Sequence, residues 1–306
     1  MVLTGAFWQR WRSMGLYVLT VTLICASLAQ AISTGRQQRV EQAMVEAQTR
    51  EVALPILMYH SILEDKSRLG RYVVSPTELE SDLQYIRERG YTTVVMADLI
   101  RYVEEGVPLP EKPIMLTFDD GQYNNYLYAY PLLRRYAMKA VLSPVVKWSE
   151  EYSAMPKEQN RAAYSYLTWE QLWEMAESGV VEIQNHSYAM HDNSTGKRKG
   201  ITKRAGETVE SYQRVLEEDL QKAQTLLTEK GIPIPTTLTY PFGAMCPEAL
   251  PIIEKLGFRA TLSCESRVNR ITRDEACLMD LGRYLRPSGK SSAQILEPIF
   301  ALAEGM

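Results

Sequence analysis

Histidine is scarce in this chain: the 306 residues include three, at positions 60, 186 and 191. Cysteine is scarce too, and the four cysteines show no Cys-x-x-Cys spacing. Cys25 falls in an apolar run near the N-terminus. We expect Cys246, Cys264 and Cys277 to be unbridged buried thiols, with a disulfide among them as the alternative outside the cell.

Two further absences narrow the class of protein. The formal net charge is −3, so the chain lacks the basic surplus of a nucleic-acid-binding protein. It contains neither a Gly-x-Gly-x-x-Gly motif nor a phosphate-binding loop, which argues against a nucleotide cofactor. Apolar residues make up 45% and charged residues 23%, as in ordinary globular proteins.

The N-terminal segment has the pattern of an export signal. Arg10 and Arg12 precede an apolar run at 14–31, and positions 13–35 carry no charge. This length is close to the ~20 residues that span a bilayer, while Ala29-Gln30-Ala31 fits a signal-peptidase site. We expect a signal peptide or membrane anchor at 1–33, a polar spacer at 34–53 and a folded domain at 54–306. Either form of the segment predicts an extracytoplasmic location.

From residue 54 onward, segments typical of strands and helices alternate. Leu54–Tyr59 and Pro113–Phe118 are apolar runs that predict strands, and Ser75 and Thr168 each begin a capping-box pattern that predicts a helix start. Residues 149–166 are polar and predict a long loop. Seven or eight strands alternating with helices predict an α/β fold, a parallel (β/α) barrel, with a doubly wound open sheet as the alternative.

The residues best suited to chemistry lie where predicted strands end. His60 follows the first strand, Asp119 and Asp120 follow Pro113–Phe118, and His186 follows a strand at 180–184. A turn at 241–243 follows a fourth predicted strand. Because the carboxyl ends of barrel strands meet at one mouth, we expect these groups to converge.

The pair His186 and His191 indicates a metal site. Five residues of an α-helix turn through about 500°, so the two rings would not share a helical face and must lie on a loop. Two imidazoles and one carboxylate leave open positions for water and substrate, as in catalytic zinc sites. Zinc is the default ion, and Co, Ni, Mn or Fe accept the same ligands. The alternative is that each histidine is an ordinary surface or hydrogen-bonding residue.

We expect Asp119 and Asp120 to have different roles. Adjacent side chains of an extended chain point to opposite sides, so both reach one site only if the strand kinks, which Gly121 permits. Two neighbouring carboxylates repel unless a cation neutralises one. We therefore expect one aspartate to bind the metal and the other to act as a base. A surface Asp-Asp-Gly turn or helix cap is the alternative.

Three motifs resemble those of the polysaccharide deacetylases, also called NodB-homology domains or carbohydrate esterase family 4. They are Thr-Phe-Asp-Asp-Gly at 117–121, His-Ser-x-x-x-His at 186–191 and Tyr-Pro-Phe-Gly at 240–243. The resemblance covers residues 54–263 and, more weakly, the tail. It implies a distorted (β/α) barrel, one divalent metal ion and removal of acetyl groups from N-acetylated sugars.

The resemblance also implies roles for individual residues. Asp119 would be the general base, and the metal ligands would be Asp120, His186 and His191. The histidine spacing is one residue longer than the usual family pattern and resembles the branch that acts on poly-β-1,6-N-acetylglucosamine and similar polymers. The family's C-terminal histidine is absent, and in that branch an N-terminal Tyr-His motif supplies the general acid, which implies His60. The implied mechanism has a metal-bound water as nucleophile, Asp119 as its base and His60 as the acid that protonates the amine.

The third motif implies a groove. Tyr240, Pro241 and Phe242 would help to line it, and the Phe242 N–H would support the oxyanion. The arginine that many members place just before this motif, to orient the base, is missing. Arg283 or Arg286 is the candidate replacement.

We therefore expect an extracytoplasmic metal-dependent hydrolase that removes N-acetyl groups from peptidoglycan or poly-N-acetylglucosamine. The expected partners are this N-acetylated polysaccharide and the membrane, without nucleic acid or nucleotide. An O-acetyl polysaccharide esterase is the alternative enzyme, because the same site can cleave acetate esters. A non-catalytic carbohydrate-binding barrel is the alternative of a different class, although a binding module needs no base.

Overall fold

The structure is a computed structural model of the chain. It describes residues 51–156, 160–192, 194–195 and 197–306, together with Gln30, Thr34, Arg36 and Gln37. The chain divides into two compact units, Met1–Arg50 and Glu51–Met306. In the first unit the four described residues are helical, and the Thr34 hydroxyl donates to the Gln30 carbonyl at 2.8 Å.

The predicted export segment at 1–33 lies outside the described residues except for Gln30, and so does most of the predicted spacer at 34–53. Among the residues that are described, no helix is long and apolar enough to cross a membrane. The first strand begins at Val52, inside the predicted spacer.

Parallel strands form the framework of the second unit. In chain order they are β1 (Val52–Leu54), β2 (Ile56–Tyr59), β3 (Ser61–Ile62), β4 (Val73–Val74), β5 (Thr92–Thr93), β6 (Pro113–Asp120), β7 (Ala140–Pro144), β8 (Val181–Ile183), β9 (Thr237–Thr239), β10 (Ala260–Leu262), β11 (Asn269–Ile271) and β12 (Tyr284–Leu285). The main sheet has the order β12-β2-β6-β7-β8, with β5 also beside β6. Its pairings are all parallel.

Smaller pairings complete the strand arrangement. β9 pairs in parallel with β10, β3 pairs in parallel with β4, and β1 pairs antiparallel with β11. Isolated parallel bridges join Asn185, just after β8, to Leu238 of β9, and Leu262 of β10 to Leu281. The observed class is therefore α/β with a parallel sheet. The parallel pairing brings the carboxyl ends of β2, β6 and β8 to one edge, and the bridge at Asn185 adds the end of β9.

The helices of the second unit are α1 (Pro76–Glu88), α2 (Met96–Glu105), α3 (Tyr130–Tyr136), α4 (Val146–Ser153), α5 (Trp169–Glu177), α6 (Val209–Glu229), α7 (Leu250–Lys255) and α8 (Ser292–Glu304). Both predicted capping boxes are confirmed: Ser75 pairs with Glu78 before α1, and Thr168 pairs with Gln171 before α5. A π-helical turn at Asn125–Ala129 precedes α3.

The long apolar strand β6 is the centre of the buried core. Its residues are buried from Pro113 to Asp119, and the last one, Asp120, is partly buried. A nearly continuous apolar run of this kind is expected for a parallel strand covered on both faces. The core therefore ends where the two aspartates begin.

One local prediction was wrong. The predicted loop at 149–166 includes most of α4, which begins at Val146. Val145 precedes this helix and provides no side-chain cap, so the usual start signal is missing. Nearer the C-terminus, a short 3₁₀ turn at Glu275–Leu278 precedes β12.

Candidate active site

Three side chains that could bind a metal ion meet at the carboxyl edge of the sheet. One ligand atom each from Asp120, His186 and His191 lie within 4.8 Å of one another. The Asp120 Oδ1 atom is 3.6 Å from His186 Nε2 and 3.2 Å from His191 Nε2. Buried Oδ1 has no hydrogen bond of good geometry, as expected for an atom whose natural partner is a cation.

The hydrogen bonding of His186 prepares its ring for metal binding. His186 Nδ1 is 2.8 Å from the Thr239 carbonyl oxygen at the end of β9. Because a carbonyl only accepts, Nδ1 carries the proton, and Nε2 presents its lone pair toward Asp120 and His191. Burial lowers the pKa of His186 to about 4, which keeps the ring neutral near pH 7. The donor set therefore fits a divalent ion.

The turn at 186–191 brings the second histidine back to the first. The Asp219 carboxylate, on α6, accepts hydrogen bonds from the Tyr188 and Ala189 backbone N–H groups at 2.8 and 2.9 Å. Ser187 has a positive φ of 73°. The rings of His186 and His191 consequently lie 5.0 Å apart, on a loop as the spacing predicts.

Backbone strain is concentrated at these strand ends. Asp120, Ser187 and Phe242 have φ angles of 70°, 73° and 60°, a region that costs non-glycine residues on the order of 1–3 kcal/mol each. Gly121 follows with φ 74°, and a Cβ atom there would lie 2.6 Å from Pro144 Cβ. The predicted kink is thus formed by Asp120 together with Gly121, and it turns the two carboxylates toward one site.

Asp119 is held by a buried arginine. Arg283 donates from its two terminal nitrogens to Asp119 Oδ1 and Oδ2 at 2.7 and 2.9 Å, and from Nε to the Ser263 carbonyl at 2.8 Å. Burial alone would raise the pKa of Asp119, but the charge and hydrogen bonds of Arg283, together with the nearby His186 and His60, outweigh burial and the net pKa is lowered. Of the two candidate arginines, Arg283 is the one that the structure brings to Asp119.

Arg286 has a different partner. Its guanidinium binds the Asp82 carboxylate of α1, with Nε to Oδ2 at 2.7 Å, and the Tyr59 hydroxyl donates to the same oxygen at 3.0 Å. Both charged groups are buried. This group was not predicted, although a charged residue on the apolar face of α1 among Leu79, Leu83 and Ile86 is a usable signal.

His60 faces Asp119 from the end of β2. Its Nε2 is 4.0 Å from Asp119 Oδ2, and its side chain is 17% exposed, so it is accessible from solvent. Asn125 fixes the backbone here by donating to the His60 carbonyl at 2.7 Å, and Asn124 accepts from the Ile62 N–H at 2.8 Å. The roles of the two asparagines were not predicted from the sequence; their place three and four residues after Gly121 is the available signal.

Three aromatic side chains, Phe242, Trp148 and Tyr166, lie beside the candidate metal ligands. The ring of His191 lies 4.3 Å from Phe242 and 5.4 Å from Trp148, and Trp148 packs on Tyr166 at 4.3 Å. Tyr240, in contrast, is 1% exposed.

Burial corrects the prediction that the whole third motif lines a groove. Tyr240 and Pro241 are both buried, Tyr240 in a hydrophobic cluster with Leu238 and Phe258. They position the turn, whereas Phe242 contacts a candidate ligand.

The three cysteines of the second unit are free, as predicted. Cys246 and Cys277 are partly buried and Cys264 is exposed, which corrects the expectation that all three are buried.

An α/β fold with a carboxylate and an imidazole beside a three-ligand cluster defines a candidate metal-dependent hydrolase. The family model for polysaccharide deacetylase matches residues 106–261. The chain belongs to this polysaccharide deacetylase family.

Two relatives of the chain share one name. The chain is 27% identical to the poly-β-1,6-N-acetyl-D-glucosamine N-deacetylase of Escherichia coli K12 over 94% of this chain and 45% of that protein. The protein of the same name from Staphylococcus aureus MRSA252 is 24% identical over 65% of this chain and 63% of that protein. The chain thus spans less than half the length of the Escherichia coli relative.

Solved structures share the fold. IcaB from Ammonifex degensii superposes with a TM-score of 0.67 at 24% identity, covering 83% of this chain and 97% of that one. A de-N-acetylase from Aggregatibacter actinomycetemcomitans gives a TM-score of 0.65 at 25% identity, covering 79% and 98%.

Proposed function

We propose that the protein removes N-acetyl groups from an extracellular polysaccharide of the poly-β-1,6-N-acetylglucosamine type. The observation that carries this proposal is the position of the Asp119–Arg283 pair and of His60 beside the cluster of Asp120, His186 and His191. The names of the relatives support the substrate class. Peptidoglycan is the other polymer to be tested.

Asp120, His186 and His191 would hold one divalent ion, with zinc as the default and Co, Ni, Mn or Fe as the alternatives. When bound, such an ion polarises a carbonyl oxygen and lowers the pKa of water. The Asp120 Oδ1 atom, which faces both histidines without a hydrogen bond of good geometry, and the Nδ1-protonated tautomer of His186 support this assignment.

The remaining residues supply proton transfer. Asp119 is ionised because its pKa is lowered, so it can accept a proton from the water that adds to the acetamide carbonyl carbon. Arg283 fixes the orientation of this carboxylate and moderates its basicity. The Phe242 N–H is proposed to donate to the oxyanion. His60 then protonates the nitrogen as the C–N bond breaks, which releases acetate and leaves a free amine on the sugar.

The proposal extends to shape and location. A distorted (β/α) barrel around the site is supported by the bridges at Asn185–Leu238 and Leu262–Leu281, which connect the β9–β10 pair with the residues just after β8 and just before β12. An extracytoplasmic location, with the N-terminal segment as membrane anchor or cleaved signal, is supported by the charge-free run at 13–35 behind two arginines.

Acetate release from defined polymers tests the proposed function. Purified protein is incubated with poly-N-acetylglucosamine, peptidoglycan or acetylxylan, with and without a chelator. We expect the fastest release from poly-N-acetylglucosamine, loss of release with chelator and recovery on adding a divalent ion. Acetate release from acetylxylan alone would show that the protein is an O-acetyl esterase and not an N-deacetylase. No acetate release from any polymer after metal loading would overturn the proposal.

A further inference from the structure

The turn that connects the two candidate histidine ligands is held by side chains. We call residues 187–190 the ligand turn. Its four backbone N–H groups all donate to side-chain oxygens: Ser187 to Asn185 Oδ1 at 2.7 Å, Tyr188 and Ala189 to the two oxygens of Asp219 at 2.8 and 2.9 Å, and Met190 to Ser187 Oγ at 3.0 Å. In a helix or sheet such groups would donate to backbone carbonyls. The shape of the ligand turn therefore depends on the side chains that accept.

Asp219 is the distant member of this set of acceptors. It lies on α6, 30 residues beyond Ala189, whereas the other acceptors come from the turn itself or from the residue before it. An ionised carboxylate accepts without donating, so each oxygen takes one N–H group, and its charge strengthens both hydrogen bonds. Leu216 and Leu220 of the same helix are fully buried, which fixes the position of the carboxylate.

Tyr188, at the centre of the ligand turn, is held from two sides. On α6, Lys222 Nζ lies 3.6 Å from the centroid of its ring. On α4, the Tyr188 hydroxyl donates to Glu150 at 2.7 Å, and the Lys147 N–H donates to the Tyr188 carbonyl at 2.9 Å. The ligand turn is thus clamped between α4 and α6, and Asp219 supplies the contacts to its backbone from α6.

We propose that Asp219 is a positioning residue for the candidate metal site, which sets the ligand turn so that His186 and His191 are close together before an ion binds. Ser187 has a φ of 73°, a strained conformation that persists where the surroundings impose it. Ligands that are already ordered bind more tightly, because less conformational entropy is lost on binding. The inference rests on the metal site of the proposed function and adds a residue outside the three-ligand cluster.

Zinc affinity tests this inference. Zn²⁺ is titrated into the chelator-treated full chain in competition with a zinc-binding dye at fixed pH. Asp219→Ala removes both acceptors, and we expect the zinc affinity to fall by roughly 10- to 100-fold, the usual range for residues that orient metal ligands. Asp219→Asn keeps the size of the side chain and one acceptor oxygen, so its loss should be smaller and in the same direction.

Two control variants separate this role from stability and from charge. Glu78 is also a helix carboxylate that accepts from two backbone N–H groups, those of Ser75 and Gly289, both at 2.8 Å. Glu78→Ala should therefore lower the urea midpoint and leave the zinc affinity unchanged. Glu150→Gln removes a charge beside Tyr188 but keeps an oxygen for its hydroxyl, so it should change the zinc affinity less than Asp219→Asn does.

Unchanged zinc affinity in a folded Asp219→Ala protein overturns the inference, and if that protein does not fold, unchanged affinity in Asp219→Asn does so. An equal loss in Glu78→Ala also overturns it, because the affinity would then follow overall stability. An equal loss in Glu150→Gln and Asp219→Asn overturns it by assigning the effect to charge alone.

Failure of the proposed function gives a different result. An intact protein that binds zinc and releases no acetate from any polymer would overturn the proposed function, while the zinc affinities and the role of Asp219 stand. An intact protein that binds no divalent ion would overturn the metal site and, with it, the positioning role.

Discussion

Arg283 binds both carboxylate oxygens of Asp119 inside the protein, across 164 residues of sequence. The pairing has two opposing effects on a base. It keeps Asp119 ionised and fixed in orientation, and it also lowers the affinity of the carboxylate for a proton. A carboxylate with such a low pKa is a weak base, and it suits a reaction in which the pKa of the attacking water is also lowered. The adjacent cluster of candidate metal ligands agrees with this, because a bound metal ion lowers the pKa of water.

Replacing Arg283 with Gln is expected to destabilise the protein by about 3–5 kcal/mol, because a buried carboxylate loses its partner. The rate of acetate release should fall as well. Arg283→Lys should be intermediate between the intact protein and Arg283→Gln in both stability and rate, because it restores the charge without the bidentate contact. Urea unfolding and acetate release measure the two effects. Arg270→Gln, which breaks an exposed ion pair with Glu51, is the control variant. It should lower the stability by about 1 kcal/mol or less. Equal losses in Arg283→Gln and Arg270→Gln would contradict the prediction.

The convergence of the candidate site was predictable because it follows from topology. Parallel strands end at a common edge of the sheet, so the topology alone brings His60, Asp119 and His186 close together, independently of side-chain packing. The kink at Asp120 and Gly121 was also predictable, since two adjacent carboxylates cannot otherwise share a site. Capping boxes predicted the starts of α1 and α5 because their signal is contained within four residues.

Other features depend on contacts that no local pattern encodes. Arg283 and Arg286 are three residues apart, and only the packing of β12 against β2 and α1 gives one to Asp119 and the other to Asp82. Helix α4 lacks a cap, so its existence depends on burial of Val146 and Ser149 against neighbouring elements. The burial of Tyr240 likewise reflects packing around α6 and α7 and not its own motif.

Asparagine substitutions should separate the two aspartates. Asp119→Asn is expected to retain a divalent ion and lose acetate release, because it removes the base and none of the three clustered ligands. Asp120→Asn should lose the ion as well as the activity. Metal content after dialysis, measured by mass spectrometry, is compared with acetate release for each variant. If Asp119→Asn lost the ion while Asp120→Asn kept it, the two roles would be exchanged.

Removing the His60 ring should reduce turnover of the amide substrate by roughly 10²–10⁴ without loss of metal, because the amine would leave unprotonated. The chain has no other histidine for this role, since the remaining two are in the cluster of candidate metal ligands. With 4-nitrophenyl acetate the loss should be much smaller, because a phenolate leaves without a proton. Parallel assays of His60→Ala on both substrates check this.

Asn125→Ala serves as the companion variant for His60. It removes the hydrogen bond to the His60 carbonyl and keeps the imidazole, so the amide reaction should slow less than in His60→Ala. An equal loss on amide and ester for His60→Ala would show that His60 supports the fold of the site and does not transfer the proton.

The buried ring of His186 predicts a pH-dependent stability for the metal-free protein. Burial lowers the pKa of His186 from its ordinary value of 6.5 to about 4 in the folded chain, while the unfolded chain keeps the ordinary value. Between these two values the unfolded state binds a proton that the folded state does not. The free energy of unfolding is therefore unaffected by His186 above pH 6.5. It falls as the pH drops from 6.5 toward 4, by about 3 kcal/mol in all.

Urea unfolding in the presence of a chelator, at several pH values from 7.5 to 4.5, measures this slope. His186→Gln removes the titrating ring and should show a flatter profile over the same window, because the lowered pKa values of Asp119 and Asp120 place their effect at lower pH. With a saturating divalent ion the intact protein should lose more stability on acidification, since ligation requires the neutral imidazole. A metal-free protein whose stability is constant from pH 6.5 to 4.5 would show that His186 titrates normally in the fold.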